Sequence, residues 1–337
     1  MRSFVAVLMS AMLMTQTAGA EPAPKVPAEL SAYMIDGKVP AGDYRWLRGR
    51  FAGASPLEIK TFFEAARFNE ECAAESRTTM RLKMASIGQV YDPGDDVFGQ
   101  PTACRQFAQL PIPANVDWGA FSAALERVRP YALGILRGTE LAEREVIGRG
   151  DFAQQLRGRP LGEQMLRYAW IESQRHEGLS RDYTQLERAI HEGILLRALQ
   201  DRDEANTEWL AEQVRVKGWP SRAAVGADAS ESAWLLVQHA DADPAFQLTA
   251  LRLMTPLVAK GQVDPRDFAM LTDRVQLRLS GKQRYGTQWT CVQGKWVPKP
   301  LERDVAATDA LRKGAKLDSL NENAARINAV YGSCAPG

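Results

Sequence analysis

Residues 218–288 carry a dense set of signals that begin and end helices. Gly218 is followed two residues later by a proline, and Asp-Pro pairs at 243–244 and 264–265 place an N-cap residue directly before a proline at the first helical position. Gly281 suits the left-handed conformation that ends many helices. The stretch therefore predicts successive helices joined by short turns, which favours an all-α fold.

Apolar residues elsewhere in the chain also recur at helical spacing. The longest predicted helix begins near Tyr183 and ends at Gly218, with an apolar stripe from Ile190 to Leu210. Shorter helices are predicted over about 56–66, 118–128 and 161–170. Because no segment shows a clear strand alternation, we predict an all-α protein, a multi-helix bundle or irregular helical array with a long loop near 91–115 and little or no strand.

Residues 1–20 have the composition of a secretory signal peptide. Arg2 precedes the apolar run FVAVLMSAMLM, and the small residues AGA at 18–20 form a cleavage site. We therefore predict cleavage before Glu21, a flexible Pro/Ala tether at 21–28, and a periplasmic or secreted protein. No later segment is long and apolar enough to predict a stable membrane span after cleavage.

Composition narrows the partners and the domain organisation. The formal net charge is +1 and the basic residues are interleaved with acidic ones, so we expect no nucleic-acid partner. With 45% hydrophobic and 25% charged residues, the chain has an ordinary globular balance and enough length for one large or two ordinary domains. We predict a helical N-terminal region over 29–182 and a helical C-terminal domain over 183–337.

The four cysteines of the chain are Cys72, Cys104, Cys291 and Cys334, an even number that suits disulfide formation in an exported protein. Three pairings are allowed, and we favour Cys72 with Cys104 and Cys291 with Cys334 because each pair closes a loop within one half of the chain. The sequence lacks C-x-x-C and H-x-x-x-H spacings and has only three histidines, so we predict neither a metal site nor a cofactor.

Several polar residues are predicted to lie inside the fold once Asp243, Asp264 and Asp267 are explained as capping and first-turn residues. Gln247 shares a helix face with apolar residues three, four and seven positions later, which directs its amide toward the core. Asn206 falls on the apolar stripe of the longest helix. Buried amides without partners cost about 1–3 kcal/mol, so such residues belong to a hydrogen-bonded network or to a site.

The candidate catalytic residue is His239, because imidazole titrates near neutral pH and serves as a general acid or base. Asp273 or Asp241 would orient its ring. The candidate ligand-binding residues are Asn206, Gln238, Gln247, Gln283, Tyr285, Gly286, Thr287 and Gln288.

The same residues carry a resemblance to a known family. The motifs D-x-x-N, G-W-P, A-W-L-L-V-Q-H-A-D, F-Q, L-T-D-R and Q-x-Y-G-T-Q follow one another in this order from Asp203 onward. This order resembles the bacterial family called domain of unknown function 6624, over about residues 203–328. The resemblance implies that these positions matter, and it carries no activity with it.

Two functions of different classes fit these residues. In the first, the polar cluster has a ligand-binding or structural, scaffolding role in the cell envelope, with a small polar ligand or an envelope component as partner. In the alternative, the protein is a hydrolase of an envelope-derived peptide or sugar, with His239 as general acid or base and Gln247, Tyr285 and the turn at 286–288 binding substrate. The sequence favours the first, because amides are poor acids and bases.

Overall fold

The computed structural model describes residues 74–94, 118–147, 150–332 and 334, and these residues form an all-α structure with one small hairpin. The first helices are α1 at 74–86, α2 at Trp118–Ile147, α3 at Phe152–Gly158, α4 at Pro160–Gln174 and α5 at Gln185–Lys217, with a 3-10 turn at Gly178–Ser180. They are followed by α6 at Arg222–Val225, α7 at Ala227–Gln238, α8 at Pro244–Val258 and α9 at Pro265–Ser280. The chain continues through strands β1 at Trp289–Val292 and β2 at Lys295–Pro298 to α10 at Val305–Gly314 and α11 at Leu320–Tyr331.

The helix ends follow the local signals in the sequence. The carboxylate of Asp243 accepts a hydrogen bond from the amide of Phe246 at 3.0 Å, and Asp264 accepts one from the amide of Arg266 at 3.0 Å. Gly281 ends α9 in the left-handed conformation with φ of 71°. These caps were predicted, because each depends only on residues within one helical turn.

A two-stranded antiparallel hairpin is the strand content of the described residues. Trp289 pairs with Pro298, and the turn residues Gln293 and Gly294 have φ of 50° and 76°, as a type I′ turn requires. Cys291 in β1 forms a disulfide with Cys334. The prediction of little strand is therefore confirmed, as is this cysteine pair.

Other predictions fall on parts of the chain outside the described residues. These are the signal peptide at 1–20, the tether at 21–28, the helix near 56–66, most of the loop near 91–115, and the pair formed by Cys72 and Cys104.

The chain divides into two compact units, and the boundary predicted between 182 and 183 stays a prediction. The first unit contains 118–139 and 165–201, where Leu166, Leu195 and Leu199 form a small apolar core.

The second unit contains 80–93, 140–164 and the described residues from 202 onward. Its larger apolar core is built mainly from α7, α8 and α9, with contributions from α1, α3 and α5. All residues of the candidate site described below belong to this unit. Within the described residues, no helix has the length and apolar character needed to cross a membrane.

Candidate functional site

Three helices bring two carboxylates and an imidazole together. Glu163 lies in the first turn of α4, Asp203 lies in the middle of α5, and His239 is the residue that ends α7. Potential ligand atoms of the three side chains all lie within 4.8 Å of one another. We call these three residues the carboxylate–histidine cluster.

The closest contact in this cluster joins His239 and Glu163. The imidazole Nδ1 lies 2.8 Å from Oε1 of Glu163, whose side chain is 0% exposed, while the imidazole is 13% exposed. A buried carboxylate is costly unless it is paired, and a carboxylate at Nδ1 fixes the orientation and the tautomer of an imidazole. The pair thus has the geometry of an oriented acid–base group that reaches solvent.

Asn206 supports the cluster from one turn further along α5. It is 6% exposed, as its place on the apolar stripe predicted. Its Oδ1 accepts a hydrogen bond from Nη1 of Arg159 at 3.1 Å, and its Nδ2 donates to the Arg159 carbonyl oxygen at 3.3 Å. The Arg159 guanidinium lies 3.8 Å from the centre of the Trp209 ring, so these contacts fix the chain just before α4 against α5.

A glycine allows the close approach of a further ion pair beside Glu163. Nε of Arg202 donates to both carboxylate oxygens of Glu143, at 3.0 and 3.1 Å. A Cβ at Gly162 would overlap this Glu143 carboxylate. The small residue at 162 therefore lets the first turn of α4 pack against the ion pair and places Glu163 in the interior.

Asp241 is held by arginines of α9. Nη1 of Arg274 lies 2.6 Å from both carboxylate oxygens of Asp241, and Arg278 donates to its backbone carbonyl oxygen at 2.6 Å. Burial acts to raise the pKa of Asp241, but Arg274 and Arg278 outweigh it and hold that pKa well below its usual range. Asp241 is thereby suited to anchor the turn after His239 as a permanent anion, and poorly suited to accept a proton.

Gln238 and Gln247 are both buried and lie at the junction of α7 and α8, and the spacing of Gln247 had predicted that its amide is directed toward the core. Nε2 of Gln247 donates to the Val237 carbonyl oxygen at 3.1 Å, which ties α8 to the end of α7. The side-chain oxygens of both glutamines are buried and have no hydrogen-bond partner among the described residues.

Asp273 organises the turn that follows α9. Its Oδ1 accepts hydrogen bonds from the amides of Arg284 and Tyr285, each at 2.8 Å, and its Oδ2 accepts one from the amide of Thr287 at 2.7 Å. Burial raises the pKa of Asp273, and the three amide donors counteract part of that rise. The side chain is 0% exposed, so we assign it to holding this turn.

The remaining predicted residues complete the same turn. Gln283 donates from Nε2 to the carbonyl oxygens of Gln288 and Lys299, at 2.8 and 2.9 Å, and accepts from the Gln288 amide at 2.9 Å. The buried Arg312 donates to the carbonyl oxygens of Tyr285 and Gly286, at 2.7 and 3.1 Å. The segment 283–288 is therefore a hydrogen-bonded structural turn, and none of the contacts named for it involves the carboxylate–histidine cluster.

Sequence reasoning missed two of the three cluster residues. Asp203 stood within the D-x-x-N motif without being singled out, and Glu163 lies upstream of every motif used. A signal for Glu163 was present, because it precedes the buried Leu166 by three positions on α4 and so places a carboxylate on an apolar helix face. The residue observed at Nδ1 of His239 is Glu163, where the sequence suggested Asp273 or Asp241.

The fold and the site define a class of all-α proteins in which three helices join a partly buried carboxylate–histidine cluster. Within that class, the chain belongs to the family of unknown function DUF6624, whose model matches residues 160–335, slightly more than half of the chain. The match begins upstream of Asp203, where the resemblance of the motifs began, and it includes Glu163. No curated protein and no solved structure matches the chain.

Proposed function

We propose that the protein is an exported hydrolase of the cell envelope and that the carboxylate–histidine cluster is its reaction centre. The observation that carries the proposal is the 2.8 Å contact between Nδ1 of the partly exposed His239 and the fully buried Glu163. The leader-like sequence at 1–20 supports export to the periplasm or beyond. An envelope-derived peptide or sugar is the substrate class that suits this compartment.

The cluster supports a simple acid–base sequence. Oε1 of Glu163 accepts a hydrogen bond from Nδ1–H of His239, which leaves Nε2 as the basic nitrogen of the ring. Nε2 takes a proton from a water molecule, whose oxygen adds to the carbonyl carbon of a peptide substrate and gives a tetrahedral intermediate. The imidazolium then gives that proton to the leaving oxygen or nitrogen as its bond to carbon breaks. Glu163 stabilises the imidazolium between the two steps.

The proposal is tested with muropeptides from digested peptidoglycan, 4-nitrophenyl glycosides and peptide 4-nitroanilides as probes. We expect the wild-type chain to release products detectable by mass spectrometry or absorbance. Removing a general acid–base group costs about 10²–10⁴-fold in rate, so His239→Ala should lose nearly all turnover and Glu163→Gln a large part of it. Circular dichroism and thermal unfolding check that both variants remain folded.

A matched control is His176→Asn. His176 is exposed and has φ of 58°, a conformation that Asn tolerates well, so this variant removes an imidazole without strain. It should retain wild-type turnover. A folded His239→Ala variant with the same turnover as this control would rule out His239 as the acid–base residue.

A binding role is the second candidate, and a separate observation favours it. The side-chain oxygens of Gln238 and Gln247 are buried acceptors that lack a hydrogen-bond partner among the described residues, and donor groups of a ligand that enters the interior at the junction of α7 and α8 would satisfy them. A wild-type chain that binds muropeptides in calorimetry and leaves them uncleaved would support this role over hydrolysis.

A further inference from the structure

We infer that Glu163, Asp203 and His239 bind a divalent transition-metal cation of the Zn²⁺ or Mn²⁺ type. The inference rests on the same cluster as the proposed function, but the binding itself does not depend on hydrolysis. Where hydrolysis occurs, the cation would hold and activate the attacking water, and His239 would act as its ligand instead of as the base.

The geometry of the cluster is that of a site with three protein ligands. One nitrogen and two carboxylate oxygens lie within 4.8 Å of one another, while zinc ligands stand about 2.0–2.2 Å from the ion and so up to about 4 Å apart. Small side-chain rotations would close this difference. The three ligands come from α4, α5 and the end of α7, so the helices place them before an ion binds.

The burial of the cluster separates it from ordinary surface acids. Glu163 is 0% exposed, and both Asp203 and His239 are partly buried. A bound dication stabilises two carboxylates in such surroundings much more than it stabilises two solvated carboxylates, because electrostatic interactions are stronger when water is excluded. A cation would replace the direct contact of Nδ1 with Oε1 by two metal–ligand bonds.

We count three protein ligands, because the neighbouring polar side chains are engaged in other contacts. Asp241, two residues after His239, is paired with Arg274, and Asn206 is hydrogen-bonded to Arg159. Three protein ligands with further positions for water are typical of catalytic metal sites, whereas structural zinc sites are closed by four ligands. The donor set has oxygen and imidazole nitrogen without thiolate, which suits Zn²⁺ and Mn²⁺ and argues against Cu(I).

The test is isothermal titration calorimetry, in which ZnCl₂ or MnCl₂ is added to the full-length protein. The protein carries no tag and has been treated with a chelator to remove bound ions. We expect the wild-type chain to bind one ion, and Glu163→Gln and Asp203→Asn to weaken binding by more than about tenfold, since even outer-shell partners of a metal contribute about 10–100-fold. Glu208→Gln is the matched control, because Glu208 is exposed on the same helix as Asp203. It should bind as the wild-type chain does.

A second readout covers variants that fold poorly. Binding to the folded state raises the melting temperature, so saturating Zn²⁺ should raise that of the wild-type and Glu208→Gln chains and leave that of Asp203→Asn unchanged. Equal binding by the wild-type, Asp203→Asn and His239→Ala chains, or no binding by the wild-type chain, would overturn the inference. Hydrolysis that survives EDTA and is lost in His239→Ala would keep the proposed function and remove the metal from it.

Discussion

Glu163, Asp273 and Asp267 are three buried carboxylates in different surroundings. Glu163 contacts an imidazole, and Asp273 receives three backbone amides. Asp267 lies in the first turn of α9, where the helix dipole favours a negative charge, yet its carboxyl group is buried and the negative charges of Asp264 and Glu231 act against its ionisation. The sequence places Asp267 in this turn and Asp264 at the N-cap of the same helix. The negative charge of Glu231 is brought near only by the tertiary structure.

Asp267 makes stability depend on pH in a predictable direction. Burial, with Asp264 and Glu231, raises its pKa in the folded chain to about 7, against about 3.9 for an unperturbed Asp. Between these values the folded chain holds a proton that the unfolded chain has lost, so the contribution of this group to the free energy of unfolding falls as the pH rises. Asp267→Asn should therefore raise that free energy by about 1–2 kcal/mol at pH 8 and change it little at pH 4.

Urea unfolding at the two pH values measures this difference. Asp228→Asn is the control, because Asp228 is an exposed acid in the first turn of α7. It should show no comparable dependence on pH. An Asp267→Asn variant whose stabilisation is the same at pH 4 and pH 8 would contradict the prediction.

At the scale of single elements, the helix ends were predictable and the carboxylate–histidine cluster was not. Asp243, Asp264 and Gly281 act on backbone groups within a turn of themselves, so the sequence alone assigns them. Glu163 and His239 are 76 residues apart and meet only because α4 and the end of α7 come together. Motif spacing detects metal-binding or catalytic pairs within one helix. It does not detect a contact between residues on two helices that are distant in the sequence.

The same reasoning explains why the turn at 283–288 was grouped with His239. Its polar residues are dense in the sequence, and density alone does not distinguish side chains that hold a backbone from side chains that meet a ligand. Asp273, Gln283 and Arg312 satisfy the amides and carbonyls of this turn from three directions. Gly286 lies within it, where both backbone conformation and packing restrict the residue type.

Gly286→Ala should therefore be more harmful than the same change at Gly281. Both residues have positive φ, 68° and 71°, which costs a non-glycine residue about 1–3 kcal/mol. A Cβ at 286 would also lie 2.7 Å from Cδ2 of the buried Leu320, whereas a Cβ at 281 meets no atom within 4 Å. Overpacking adds about 1–3 kcal/mol, so the free energy of unfolding should fall further in Gly286→Ala by that amount.

Chemical denaturation of the two variants side by side isolates the packing contribution, because the backbone cost is shared. Equal losses of stability would mean that Leu320 moves aside without cost. A greater loss in Gly281→Ala would contradict the packing described for the turn.

At the scale of the whole molecule, the disulfide fixes Cys334, which lies shortly after α11, to the hairpin. Cys291 and Cys334 are 43 residues apart, and the ring of Trp296 also lies 6.0 Å from that of Tyr331. Closing a loop of this length is worth about 2–4 kcal/mol. Replacing both Cys291 and Cys334 with Ser should lower the free energy of unfolding by about that amount.

Non-reducing peptide mapping by mass spectrometry checks the pairing directly. We expect one cross-linked peptide pair with Cys291 and Cys334, and a second with Cys72 and Cys104 if the pairing predicted from the sequence is right. A cross-link between Cys104 and Cys291 would contradict both pairs. If the double Ser variant has the same denaturant midpoint as the wild-type chain, the disulfide does not contribute to stability and the hairpin contacts alone hold the segment after α11.

The position of Glu163 also determines how this protein can be divided. A fragment begun at residue 183, the boundary that the sequence predicted, would keep Asp203 and His239 but would leave His239 without the carboxylate that contacts Nδ1. A negative assay on such a fragment would be misread as lack of activity of the protein. Truncated versions made for crystallisation, screening or fusion therefore need to begin before Pro160, so that all of α4 is retained.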